Sequence, residues 1–177
     1  MNKYLTINNL KVWVEIKPGG PQTILFLHQS SGSAKIWNGQ WEAPALQNYT
    51  LIRIEFPGHG LSDRSSSPKE HYNLHYMGGI IPKVVEELSI ECYITVAISL
   101  STNFIGEIAP LLKNCRGFFL AGASIIGTGI SLGDILMPFE YGDVLFSSDP
   151  PAERLTQYIR GLIHNDNDHI TQLLVQD

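Results

Sequence analysis

The sequence predicts an α/β protein, a mostly parallel sheet with helices on its faces. Three observations carry that expectation. Thr23-Ile24-Leu25-Phe26-Leu27-His28 is a continuous apolar run, as a strand buried on both faces requires. Strand-like runs of this kind alternate with amphipathic helical patterns, which argues for parallel strands joined by right-handed crossovers. Finally, the β-branched run Cys92-Tyr93-Ile94-Thr95-Val96-Ala97-Ile98 leads through Ser99 into a helical pattern.

The elements follow in order. Tyr4–Ile7 and Leu10–Ile16 read as a hairpin around Asn8-Asn9. Lys17-Pro18-Gly19-Gly20-Pro21 breaks the chain, and the strand to His28 follows, opening into the small polar loop Gln29-Ser30-Ser31-Gly32-Ser33. A helix is expected around Ile36–Leu46, then a strand from Leu51 ending near Glu55. Met77, Ile80, Ile81, Val84, Val85 and Leu88 form one apolar stripe at helical spacing, with Pro82 inside it to kink the helix or move its start. Next come the strand to Ile98, a turn at Ser99, and a helix burying Leu100, Phe104, Ile105, Ile108 and Leu111. Gly117–Ala121 reads as a short strand before a Gly/Ser-rich loop. After about residue 122 the pattern changes. Pro138, Phe139, Tyr141, Phe146, Pro150 and Pro151 punctuate an irregular stretch of exposed-looking aromatics. Glu153–Ile163 then reads as an amphipathic helix with Leu155, Ile159, Leu162 and Ile163 on one face. The expected division is 1–122 and 123–177.

Composition narrows the function classes. At 177 residues and 44% hydrophobic, the chain is long enough for one core. Twelve Lys+Arg against seventeen Asp+Glu give a net charge of -5 with no basic cluster, so the electrostatic drive for nucleic-acid binding is missing. Met1-Asn2-Lys3-Tyr4-Leu5-Thr6 lacks the apolar core of a signal peptide. Gly117–Gly133 is uncharged and fairly apolar but short of a membrane span and rich in glycine. Gly127-Thr128-Gly129 begins a dinucleotide fingerprint whose third glycine would fall on Leu132. Cys92 and Cys115 fit neither a metal spacing nor a disulfide framework. They read as buried thiols of a reducing compartment, although the residues alone leave their pairing open. No metal motif is present, and neither a metal nor a cofactor is expected.

Ser99 is the residue on which function turns. A nucleophile on a sharp strand-to-helix turn tolerates only small side chains two positions before and after it, and Ala97 and Ser101 occupy those positions. A serine after a buried strand is also what a helix N-cap looks like. Upstream, Pro57-Gly58-His59-Gly60-Leu61-Ser62-Asp63 follows the strand from Leu51. Together these segments resemble the α/β-hydrolase fold family. Its members carry a strand ending in His-Gly at an oxyanion loop, a Pro-Gly-His-Gly-x-Ser turn and a serine elbow, in this order. The resemblance runs from about residue 3 to the end and covers the N-terminal part of a typical member, so the fold is expected to be C-terminally truncated.

That resemblance implies Ser99 as nucleophile and the backbone N–H groups of Gln29 and Leu100 as oxyanion donors. The family usually has glycine where this chain has Gln29, whose side chain narrows the pocket or adds an amide donor. A serine nucleophile points to ester, thioester, amide or C–C cleavage. Residues 123–177 become the start of a helical cap whose apolar lining suits a small, fairly apolar or ester substrate; packing of the lid onto the sheet explains those aromatics equally well. The family's acid and histidine come later in the chain. Here His164 and His169 are the only histidines after Ser99, in Ile163-His164-Asn165-Asp166-Asn167-Asp168-His169. Asp166 before His169 has the order of a triad but the wrong place for one, and Asp168 reads as an N-cap. His28 and His59 are expected to be structural supports, and His71 and His75 solvent-facing.

The expectation is a cytoplasmic serine hydrolase, esterase- or thioesterase-like or cleaving C–C bonds, with its acid and histidine missing from this chain. The alternative is an inactive truncated hydrolase-fold domain or a small-molecule binding module. No nucleic acid and no membrane are expected as partners. Self-association is expected, because Phe118-Phe119-Leu120 would lie on an uncovered sheet edge.

Overall fold

Asn8 and Asn9 have φ of 52° and 65°, the left-handed pair that a two-residue hairpin turn requires. They join β1 (Asn2–Ile7) to β2 (Leu10–Lys17), with Ile7 paired to Leu10. The structure is a computed structural model that describes residues 1–123, 140–145, 147 and 149–162. β3 (Thr23–Leu27), β4 (Thr50–Ile54), β5 (Tyr93–Ile98) and β6 (Cys115–Ala121) complete a sheet of order β1-β2-β4-β3-β5-β6. β2 is antiparallel to β1 and β4, and β4, β3, β5 and β6 are mutually parallel. The sheet is therefore mostly parallel, with β3, β4 and β5 ending at one edge.

β3 is buried at all five residues because both faces are covered. Leu25 and Leu27 join the larger core with Ile52, Ile54, Ile81 and Ile105, while Ile24 and Phe26 join Trp37, Trp41 and Leu51 on the other face. Arg53, in the middle of β4, is nearly buried. Its guanidinium pairs with Glu15 at 2.5 Å, donates to Asn38 Oδ1 and the Ala34 carbonyl, and lies 4.5 Å over the Trp41 ring.

Two expected helices are broken. The segment 36–46 is a 3₁₀ turn at Ala34–Trp37, α1 (Asn38–Glu42) and a second 3₁₀ turn at Pro44–Leu46. Ala43 is extended (φ −62°, ψ 124°), because the ring of a following proline disfavours the helical region for the residue before it. After α2 (Pro68–His71), the Met77–Leu88 stripe splits into α3 (Leu74–Gly78) and α4 (Ile80–Glu87) at Gly79. Pro82 is the third residue of α4, where a helix needs no N–H from it, so the proline moves the start of this helix. α5 (Leu100–Ile108) follows β5.

The chain divides into two compact units, Met1–Ile125 and Ile126–Asp177. In the second, α6 (Gly142–Leu145) and α7 (Ala152–Leu162) share a small core of Val144, Tyr158 and Ile159 against Tyr141 and Leu155. Tyr141 is thus half-buried; Arg154 lies over its ring at 5.3 Å and bonds Asp143 at 2.6 Å. The Arg154 guanidinium holds the Asp143 carboxyl below its ordinary range. The Gly127–Gly129 pattern, Phe139, Phe146 and the 163–169 run lie outside the described residues. Among the described residues no helix is long and apolar enough to cross a membrane, and no cluster of His, Cys, Asp or Glu could hold a metal ion. Cys92 and Cys115 are free and half-buried, where burial was expected.

Candidate active site

β5 ends at Ile98 and α5 begins at Leu100, so the reversal falls on Ser99. Ser99 has φ 53° and ψ −122°, a conformation that L-residues rarely adopt and that surrounding structure must hold. Its N–H donates to the Ala121 carbonyl at the end of β6 (3.0 Å). Its carbonyl accepts from the Thr102 N–H (2.9 Å) and Thr102 Oγ1 (2.6 Å). The side chain makes no capping bond. A capping serine has extended backbone and gives its Oγ to a first-turn N–H; Ser99 does neither.

The flanking positions show why small residues stand there. Ala97 and Ser101 are both fully buried. Ser101 Oγ accepts from the Ile98 N–H (2.9 Å) and lies 3.1 Å from the Leu27 carbonyl and 2.9 Å from that of Ile98, either of which takes its hydrogen. Ser101 therefore ties the first turn of α5 to the ends of β3 and β5.

At the end of β3, His28 is 1% exposed. Its Nε2 accepts from the Phe56 N–H (3.1 Å), so Nδ1 carries the hydrogen and donates to the Gln29 carbonyl (2.6 Å). This neutral ring links the loop after β3 to the loop after β4. It is the structural support expected of it, and it fixes the peptide that follows Gln29. The Gln29 side chain brings a buried Oε1 that has no hydrogen-bond partner among the described residues.

The Pro57–Asp63 turn is tied from three sides. Glu55 Oε2 accepts from the Leu61 N–H (2.5 Å). Ser62 Oγ accepts from the Trp13 N–H (2.8 Å) and donates to the Glu55 carbonyl (2.5 Å), and Asp63 Oδ2 accepts from the Lys11 N–H (2.8 Å). A Cβ on Gly60 (φ 49°) would collide with the Glu55 carboxylate, so only glycine fits. Sequence reading missed Glu55 as the organiser of this turn. The available signal is an acid at the end of a buried strand just before a Pro-Gly turn, where the turn's N–H groups need an acceptor.

His59 lies on this turn with its ring 4.9 Å from that of His28, and its Nδ1–H donates to the Pro57 carbonyl (3.3 Å). Burial pushes its pKa below the ordinary histidine value. It lines a pocket of about 320 Å³ with Pro57, Gly58, Tyr72, Asn73, Leu74, Met77, Leu100 and Phe104. Leu100 places this pocket directly beside the Ser99 turn. His75 is exposed and pairs with Glu107 (3.1 Å). His71 departs from its expected place in solvent: it is half-buried, stacked on Tyr76 at 4.3 Å and bonded to Ser65 Oγ at 2.6 Å. Among the described residues no histidine bonds Ser99 Oγ; His164 and His169 lie outside them.

Comparison with known proteins bears on the fold. No family model matches the chain. It is 27% identical over 108 residues to a dihydrolipoyllysine-residue acetyltransferase component of the acetoin cleaving system of Cupriavidus necator, covering 60% of this chain and 28% of that protein. It is 24% identical over 92 residues to the human mesoderm-specific transcript homolog protein, covering 50% and 27%. The chain thus spans little more than a quarter of the curated relatives it matches. Among solved structures it resembles the N-acyl homoserine lactonase AidH in complex with N-hexanoyl homoserine lactone, with TM-score 0.81, 18% identity, and coverage of 99% of this chain and 65% of that one. Est816, an N-acyl homoserine lactone degrading enzyme, gives TM-score 0.75 at 19% identity, covering 98% and 64%. A thioesterase domain from the curacin biosynthetic pathway gives TM-score 0.74 at 17% identity, covering 99% and 66%.

Proposed function

On the α/β-hydrolase fold that this chain adopts, we propose that Ser99 is the nucleophile of a hydrolase acting on small, fairly apolar esters, thioesters or lactones. The observation that carries the proposal is the backbone of Ser99, held at φ 53° between β5 and α5 with its Oγ free of capping duty. A strained serine at that point of that fold is costly to keep, and strain of this kind concentrates where function requires it. Ser99 Oγ attacks the substrate carbonyl carbon and gives its proton to a general base. The negative charge that develops on the carbonyl oxygen is met by the backbone N–H groups of Gln29 and Leu100. The leaving alcohol or thiol takes a proton, and water hydrolyses the acyl-serine. The lactonases and the thioesterase domain that share the fold support an acyl-transfer reaction over C–C cleavage. Residues 123–177 serve as a partial cap in this reading. The cytoplasm suits the two free thiols, and the edge of β6 is the self-association surface.

A second reading, a pocket that binds without turnover, draws on one observation: no described histidine bonds Ser99 Oγ. Hydrolysis of p-nitrophenyl esters by the purified chain separates the two. The expected result is release of p-nitrophenol with an acyl adduct on Ser99, the adduct absent in Ser99→Ala, above the background of roughly 10³–10⁴-fold over water that oxyanion donors without the full triad sustain in both. Ester hydrolysis equal in Ser99→Ala and wild type, with no acyl adduct on Ser99, would support the binding reading. Rapid turnover would direct the search for a base to His164 and His169.

A further inference from the structure

The pocket beside Leu100 has a direction. Its floor is Met77 and Phe104, 4% and 3% exposed, and its rim is Tyr72 and Leu74, 42% and 39% exposed. Several of its polar atoms are committed elsewhere. Asn73 Oδ1 accepts from the Tyr76 N–H (2.9 Å) and its Nδ2 donates to the Glu70 carbonyl (2.7 Å). The Tyr72 hydroxyl accepts from the Ser65 N–H (2.9 Å), and His59 gives its Nδ1–H to Pro57. Among the described lining residues there is no carboxylate, ammonium or guanidinium. Burial also favours the uncharged form of His59. A polar or charged substituent entering this space would lose its water without gaining a charge partner.

We infer that this pocket is the acyl-chain site and that it selects acyl chains of medium length; the inference rests on Ser99 as nucleophile. Leu100 links the two parts of the argument. Its N–H is one of the proposed donors to the substrate carbonyl oxygen, and Leu100 itself lines the pocket. Phe104 lies one helical turn further along α5, at the floor. An acyl carbon attached to that carbonyl therefore has the pocket as its apolar surroundings. At the ~0.74 packing density of a protein interior, about 320 Å³ holds a chain of roughly a dozen carbons at most. Met77, reaching the floor from α3, sets the limit.

The test is a series of p-nitrophenyl alkylphosphonates, from methyl to dodecyl. These form a stable bond to an attacking serine oxygen with loss of p-nitrophenol. Labelling rates are read by intact mass on the purified chain and expressed relative to the methyl probe. The expected profile rises about threefold to fourfold per methylene, peaks at an intermediate length and falls by the dodecyl probe. Met77→Trp, which fills the floor, should move the peak two or more carbons shorter, and Met77→Ala should move it longer. Either shift alone supports the assignment if the other variant does not fold. A flat profile, or a peak that a folded Met77 variant leaves in place, overturns the acyl-chain site while leaving Ser99 as nucleophile. Absence of Ser99 labelling at every length overturns the nucleophile itself.

Discussion

Ser101 does more than leave room beside Ser99. Its hydroxyl satisfies the Ile98 N–H and reaches the Leu27 carbonyl from a fully buried position. Ser101→Ala would leave that N–H unsatisfied, at a cost of about 1–3 kcal/mol, or a drop in Tm of several degrees for a domain of this size. Thermal unfolding checks it, and the loosened turn should also slow labelling of Ser99; an unchanged Tm would show that another acceptor takes over. The need for small residues at 97 and 101 is legible in the sequence because it is local. The roles of Glu55, Arg53 and His28 are not, because their partners come from segments brought close only by the sheet. His59 belongs to the same set. Burial lowers its pKa below 6.5, so between that lowered value and 6.5 the unfolded chain binds a proton that the native chain does not. Its contribution to stability is then present above pH 6.5 and is lost as pH falls through that window. Tm measured from pH 7.5 to 5 should decline, and His59→Gln should decline less; parallel profiles would contradict this role for His59.

Elements with continuous or periodic apolar patterns were legible. β3 is buried on both faces, and the hairpin turn at Asn8-Asn9 sets its own register. Helices were less so: Pro44 and Gly79 break what periodicity alone would run together. β6 carries an element-scale consequence. Among the described residues it has no outer neighbour, and Phe118 and Phe119 are 44% and 64% exposed. An apolar edge with unpaired N–H and carbonyl groups templates pairing with another chain. Sedimentation velocity should show dimers or larger species that grow with concentration, and Phe119→Lys should shift them toward monomer. A monomer across a wide concentration range would mean that the edge is covered.

At the scale of the whole molecule, the strand order and the positions of three loops bring Gln29, the Pro57–Asp63 turn and Ser99 to one edge of the sheet. That convergence was legible from motif order, since each motif sits at the end of a parallel strand. The source of a base was not, because no local pattern fixes which distant histidine returns to a nucleophile. The proposed nucleophile requires this edge to make one serine reactive among many. Peptide mapping of the chain after reaction with a fluorophosphonate tests it directly. One equivalent of adduct is expected, carried by Ser99 alone and absent in Ser99→Ala. Adducts spread over several serines, or an adduct that survives in Ser99→Ala, would contradict it.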